Sequence, residues 1–297
     1  MKKAADYIAV SAFFVIVIMF AAYTLVMGRH GSESEKADSS DIRHNAQTYV
    51  SNNFPLSSNW KSLRTTMFVM TGKKNFDNIY YDLDSRIDTI DTFFPMYSAR
   101  NNYVYYRTDR KWTSFGAYFA YADGIKELGF EPVVLSNYDQ EYTSNSYYGG
   151  LYSELCYNSI GADRVNIFRS KYKTTVDSVE LYREDQVLTS KSVYFRSALK
   201  TADKTAIFLQ GDNFTKATVK TTAEDAPKLL IIKGSYANTL VPFLTPHYSE
   251  ITLVDPDKLK EEGKTLSDVA DTSAYDQILF MYDCDQFADE TNFDLLK

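Results

Sequence analysis

Four short runs in the last third of the chain are almost wholly apolar: "TAIFLQ" (205–210), "KLLIIK" (228–233), "EITLVD" (250–255) and "QILFMY" (277–282). Runs without polar alternation suit strands covered on both faces, as in a parallel sheet. Segments 236–246 and 265–274 between them are long enough for helices. Strand–helix–strand units predict an α/β layered fold, with function carried by loops at the strand C-terminal ends.

Upstream the pattern changes. Residues 131–200 read as short Tyr-rich strands separated by turns such as "YYGG" and "YREDQ". "NNYVYYRTD" (101–109) reads as a strand with aromatic alternation. "WTSFGAYFAYADGIKELGF" (112–130) predicts a helix with Phe115, Phe119, Ala122 and Ile125 on one side and Gly129 at its end. Ile42, Ala46, Tyr49 and Val50 recur at helical spacing until Pro55. Trp60, Leu63, Met67 and Met70 do the same before Gly72.

The N-terminus carries Lys2 and Lys3, then an uncharged apolar run from Ile8 to Met27. About 20 such residues, rising about 1.5 Å each, cross a bilayer core. The exit Leu25-Val26-Met27-Gly28-Arg29 is a poor cleavage site, so the run reads as an uncleaved anchor, with a cleaved signal peptide as the alternative. The two lysines place the bulk of the chain outside the cytoplasm at the cell membrane. The expected organisation is an anchor (1–28), a polar linker (29–40) and one domain (41–297).

Composition narrows the partners. The chain of 297 residues has a net charge of −7, which repels phosphate backbones and argues against nucleic acid. Its 24 tyrosines and 19 phenylalanines favour strands and can also stack on sugar rings. Cys156 and Cys284 show no metal-ligand spacing, so no metal site is expected; they form one disulfide or remain two buried thiols. The acidic stretch 283–294 lacks the glycine and the final glutamate of a calcium loop. Asn213 opens an Asn-Phe-Thr triplet, a glycosylation acceptor only in a pathway that glycosylates.

The chemistry centres on "KLLIIKGSYANTLVPF" (228–243), in which Ser235 follows an apolar strand where hydrolases often keep a nucleophile. "YYRTDRKWTSFGAYFAY" (105–121) resembles the DHHW family signature Tyr-Arg-Thr-Asp-His-His-Trp-Thr. "KLLIIKGSYANTLVPFLTPHYSEITLVDPD" resembles its second signature, usually containing Lys-Asp-Ser-Tyr-Ala-Asn. That family is similar to the SGNH-type O-acetyltransferases of alginate assembly, which work outside the cytoplasm beside a membrane-bound O-acyltransferase. The resemblance implies an SGNH-hydrolase-like three-layer α/β/α fold with a mostly parallel sheet. It also implies a serine nucleophile whose proton is removed by a histidine that an aspartate orients, without a cofactor. Ser235 matches the nucleophile and Asp109 the orienting carboxylate; Trp112 and Thr113 match their signature positions.

The departures fall on the reactive residues. Lys111 stands where the catalytic histidine is expected, Arg110 replaces the other histidine, and Gly234 replaces the aspartate before the serine. "FLQGDNF" (208–214) resembles a family segment that usually reads Leu-Gly-Gly-Asn-His and here supplies Gln210, Gly211, Asp212 and Asn213. Of the three histidines, His30 and His44 lie near the linker, and His247 reads as structural. Lys111 serves as base only if burial lowers its pKa; an ion pair with Asp109 opposes that. Two readings stay open. One is a catalytically degenerate accessory or binding protein of cell-surface polysaccharide O-acetylation, with Trp112, Tyr106 and Asn213 contacting the glycan. The other is an active serine-dependent O-acetyltransferase or esterase using Ser235 with Lys111.

Overall fold

A computed structural model describes residues 88–155, 159–172, 174–184, 186–282 and 293–296. The anchor, the linker, the two upstream helices, both cysteines and most of the acidic stretch lie outside these residues. No helix among the described residues is long and apolar enough to cross a membrane.

Six strands form one sheet in the order β4-β3-β5-β7-β6-β8. They are β3 (Val176–Arg183), β4 (Gln186–Ser190), β5 (Lys216–Thr221), β6 (Lys228–Lys233), β7 (Glu250–Val254) and β8 (Gln277–Met281). β6 pairs in parallel with β7 and with β8. The pairs β3–β4, β3–β5 and β5–β7 are antiparallel. The sheet is thus mixed, which corrects the expectation of a mostly parallel one. Three of the four wholly apolar runs are strands of the parallel half, β6, β7 and β8. The other half alternates apolar and polar residues, as in β3 "VDSVELYR", which is the mark of antiparallel pairing.

β6 lies at the centre of two cores. Leu229 and Ile231 join the main cluster with Phe243 and Leu244 of α4 (Ala237–Leu244) and with Ala117 and Tyr121 of α2 (Ser114–Glu127). Leu230 and Ile232 face the opposite way, onto Leu259 of α5 (Pro256–Glu262) and Leu266 of α6 (Leu266–Val269). Successive side chains of a strand point to opposite faces, so one run feeds both layers. Two further helices are short, α1 (Phe93–Ser98) and α3 (Gly150–Leu155). A separate antiparallel pair, β1 (Tyr138–Tyr147) and β2 (Asp163–Ser170), packs beside α2 and α4.

Two expected strands are absent. "TAIFLQ" lies in a 3-10 turn (Lys204–Ile207) and a connector, with Ile207, Phe208 and Leu209 all buried. Its apolar run reports burial rather than extension. "NNYVYYRTD" forms only an isolated bridge between Tyr105 and Trp112. α2 is a helix as expected, capped by the Thr113 hydroxyl, which accepts from Gly116 N–H, and followed by Gly129 at φ +87°. Its buried face is Ala117, Tyr118, Tyr121 and Ile125, while Phe115, Phe119 and Ala122 are half-buried. Gly116 is required there, because a Cβ would sit 2.2 Å from Val104 O.

Candidate functional site

The loop from Tyr103 to Thr113 is positioned by one buried carboxylate. Asp163, at the start of β2, accepts from the Tyr103 hydroxyl, from Arg107 N–H (3.1 Å) and Nε (3.2 Å), and from Thr108 N–H (2.8 Å) and its hydroxyl. Burial alone would raise the Asp163 pKa. The Thr108 and Tyr103 hydroxyls and the two amides outweigh it and hold the carboxyl below its usual range.

That clamp presents Asp109. Its Oδ1 accepts from Lys111 N–H (3.0 Å) and its Oδ2 from the Tyr147 hydroxyl and from Gly150 N–H (3.3 Å). Burial, then the Asp109 charge, push the Tyr147 hydroxyl well above its ordinary value, so it stays protonated and donates. The backbone comes close here: a Cβ on Gly149 would lie 2.3 Å from Asp109 Oδ2. Asp109 is therefore spent on Tyr147 and on amides. It does not form the expected ion pair with the Lys111 ammonium.

Lys111 turns instead to Asp212, with Nζ 3.2 Å from Oδ2. Asp212 also accepts from Lys233 Nζ at 2.8 Å and from Asn238 Nδ2 at 3.4 Å. Lys233 ends β6 with its side chain 1% exposed, and it donates further to Asp255 Oδ2 at 2.9 Å. Asp255 is also the N-cap of α5. The row Lys111–Asp212–Lys233–Asp255 alternates in sign and sums to zero. Burial would pull the Lys233 ammonium down, but Asp212 and Asp255 prevail and hold it above the usual lysine range. For Asp212 burial likewise opposes ionisation, and the Lys233 and Lys111 charges overcome it, so its pKa is lowered.

The backbone before Asp212 is unusual. Leu209 (φ +50°), Gln210 (φ +65°) and Gly211 (φ +69°) are consecutive left-handed residues. Two of the three bear a Cβ, a conformation that costs about 1 kcal/mol or more per residue. Asn238 Nδ2 donates to Gly211 O at 2.8 Å and holds this turn against α4.

Ser235 lies between the end of β6 and α4, partly exposed. Its neighbours on both sides reach the 110–112 segment. Lys233 does so through Asp212. Tyr236 donates its hydroxyl to Arg110 O at 2.6 Å and packs edge-on against Trp112 at 5.1 Å. The structure thus brings the turn that carries Ser235 against the loop that carries Asp109 and Lys111, and it gives Asp109 the Tyr147 hydroxyl in place of the Lys111 ammonium.

The aromatic residues singled out for the glycan sit elsewhere than expected. Trp112 and Tyr106 are 7% and 5% exposed, with the Trp112 Nε1 and Tyr106 hydroxyl unpartnered among the described residues. Tyr106 packs edge-on against Tyr147, so both rings serve the interior. Asn213 is exposed, and its Nδ2 donates to Gln210 O at 3.0 Å, closing the left-handed turn. His247 Nε2 shares a hydrogen bond with the Tyr121 hydroxyl at 2.7 Å beside Phe130, a structural placement. Burial lowers its pKa to about 4.

Four residues of the site were not assigned from sequence: Asp163, Tyr147, Lys233 and Asp212. Lys233 carries a readable signal, a lone charge closing an apolar strand. Asp163 and Tyr147 carry none, since their roles arise from β1–β2 pairing far from the motifs.

Solved structures of similar fold include a DHHW family protein from Eubacterium siraeum. It matches with a TM-score of 0.56 and 21% identity, over 69% of this chain and 67% of that one. Bacillus cereus PatB1, solved with a sulfonyl adduct, matches with a TM-score of 0.59 and 16% identity, over 72% and 73%. A second structure of Bacillus cereus PatB1 gives 0.57, 16%, 72% and 74%. No curated protein matches the sequence. The family model described as "DHHW protein" matches residues 57–254, which span the clamp loop, the Asp212 turn and the Ser235 strand, and the chain belongs to the DHHW family.

Proposed function

We propose that this protein is a membrane-anchored, extracytoplasmic component of cell-surface polysaccharide O-acetylation. On this reading it binds glycan, or a membrane-bound O-acyltransferase, through a Ser235 site that has lost its base. The carrying observation is the ion pair of Lys111 with Asp212. Position 111 is where the family signature places histidine, and Asp212 aligns with the asparagine of the third segment. Two departures from the pattern meet, one adding a positive charge and the other a negative one. An ammonium donating to a carboxylate has no lone pair with which to take the Ser235 proton. The sulfonyl adduct of PatB1 supports the wider setting, because sulfonyl groups are trapped by activated nucleophiles.

The test is acetyl-ester turnover by the full chain on an aryl acetate and an acetylated oligosaccharide. The expected result is no turnover above Ser235→Ala, and Ser235-dependent turnover once Lys111→His and Asp212→Asn are combined. Turnover by the parent that Ser235→Ala abolishes would overturn the reading in favour of an active esterase or acyltransferase.

A further inference from the structure

Beside the clamp loop lies an open groove of about 700 Å³, bordered by Arg107, Arg164, Tyr142, Ser144 and Asn145. Its border holds two guanidinium groups and no carboxylate, in a chain with net charge −7. Arg107 is not a loose surface side chain. Its Nε is fixed on Asp163 at 3.2 Å and its Nη2 on Ala162 O at 2.6 Å, yet 53% of the side chain stays exposed. An arginine held in this way loses little further entropy when it meets an anion. Asp163 balances the Arg107 charge, so Arg164 leaves the groove net positive.

An aromatic ring borders the same groove. Tyr142 is 67% exposed. The β1–β2 register shifts between Tyr142 and Ser144 and again between Ser144 and Tyr147. Such irregularities re-aim side chains and leave backbone groups unpaired, and they gather beside functional sites. An exposed aromatic face next to hydroxyl, amide and guanidinium groups suits a sugar that carries an anion.

The groove shares its elements with the site. Arg107 is two residues from Asp109, and Tyr147, at the end of the strand that carries Tyr142 and Ser144, donates to Asp109. From these observations we propose that the groove is a subsite for an anionic glycan, with Arg164 and Arg107 taking its carboxylate or phosphate and Tyr142 stacking on the ring. This rests on the glycan reading above and adds to it a charge class and a place.

The test is titration calorimetry on the full chain at two salt concentrations. The probes are a galacturonate oligomer, its carboxyl-reduced neutral counterpart and a glycerol-phosphate oligomer. We expect one of the two anionic probes to bind, and so to identify the anion, with the neutral counterpart at least about tenfold weaker. Arg164→Gln should weaken binding about tenfold, the loss of one charge-assisted hydrogen bond. Tyr142→Ala should weaken it too, and added salt should lower the affinity. Binding of the neutral oligomer as tight as the acidic one, or anionic binding untouched by Arg164→Gln, would overturn the groove assignment and leave the glycan reading standing. Failure of all three probes to bind would overturn the groove assignment and the glycan arm of that reading, leaving its O-acyltransferase arm.

Discussion

Lys111 Nζ and Asp212 Oδ2 meet at 3.2 Å across 101 positions of sequence, in a row of four alternating charges that ends on Asp255. The two lysines of that row have unequal stakes. The Lys233 side chain is 1% exposed and that of Lys111 is 22% exposed. A buried charge stripped of one partner costs more than a half-exposed one. Asp212→Asn is expected to cost about 1–3 kcal/mol and Lys111→Met less than about 1 kcal/mol. Double-mutant cycles by urea unfolding should give a larger coupling for Asp212 with Lys233 than for Asp212 with Lys111.

The stability profile should fall with acid in two windows. The folded-state pKa of His247 is lowered to about 4, below the ordinary 6.5, so the unfolded chain takes up a proton before the folded one. That contribution is complete above 6.5 and is lost as pH falls from there to about 4. Asp163 and Asp212 are lowered from 3.8, so theirs is present above that value and lost below it. Urea unfolding across pH 7 to 3 checks this, and His247→Gln should flatten the upper window alone.

Gly149→Ala should disturb Asp109 directly. The new methyl meets Asp109 Oδ2 and Cβ at 2.3 and 2.4 Å, and the carboxylate must leave Tyr147 to make room. A destabilisation of about 1–3 kcal/mol is expected, the usual cost of overpacking. Gly161→Ala is the matched control, since a Cβ there meets nothing within 4 Å. A denaturant midpoint unchanged by Gly149→Ala would contradict the packing.

Trp112→Ala should act on stability before it acts on any ligand. The ring is 7% exposed and packs on Tyr236, so truncation leaves a cavity and costs about 3–5 kcal/mol. Calorimetric melting should show the loss, with Trp112→Phe milder. A melting temperature unchanged by Trp112→Ala would return the residue to the list of ligand contacts.

What the sequence reveals follows from how local each feature is. β6, β7 and α4 are legible because an unbroken apolar run declares burial on both faces; the same pattern finds β8 but overstates its burial, since it is the edge strand and exposes Ile278 and Phe280. α2 was legible from its period and from Gly129. The antiparallel half was not, because alternation does not say which strand lies next door. "TAIFLQ" misled because Ile207, Phe208 and Leu209 are as buried as any strand while the backbone turns left-handed. At the site, the positions of Ser235, Asp109 and Lys111 came from motifs. Their hydrogen-bond partners did not, since Tyr147, Asp163 and Asp212 reach them only through long-range packing.

The Asp163 clamp also governs how the loop opens to solvent. Arg107 and Thr108 lie outside every helix and strand, where backbone amides ordinarily exchange with water within the first moments of labelling. Both amides donate to one carboxylate whose side chain is wholly buried. Deuterium can enter them only when β2 releases that carboxylate. The two amides should therefore exchange late and together, at the pace of the β1–β2 ribbon rather than of a loop.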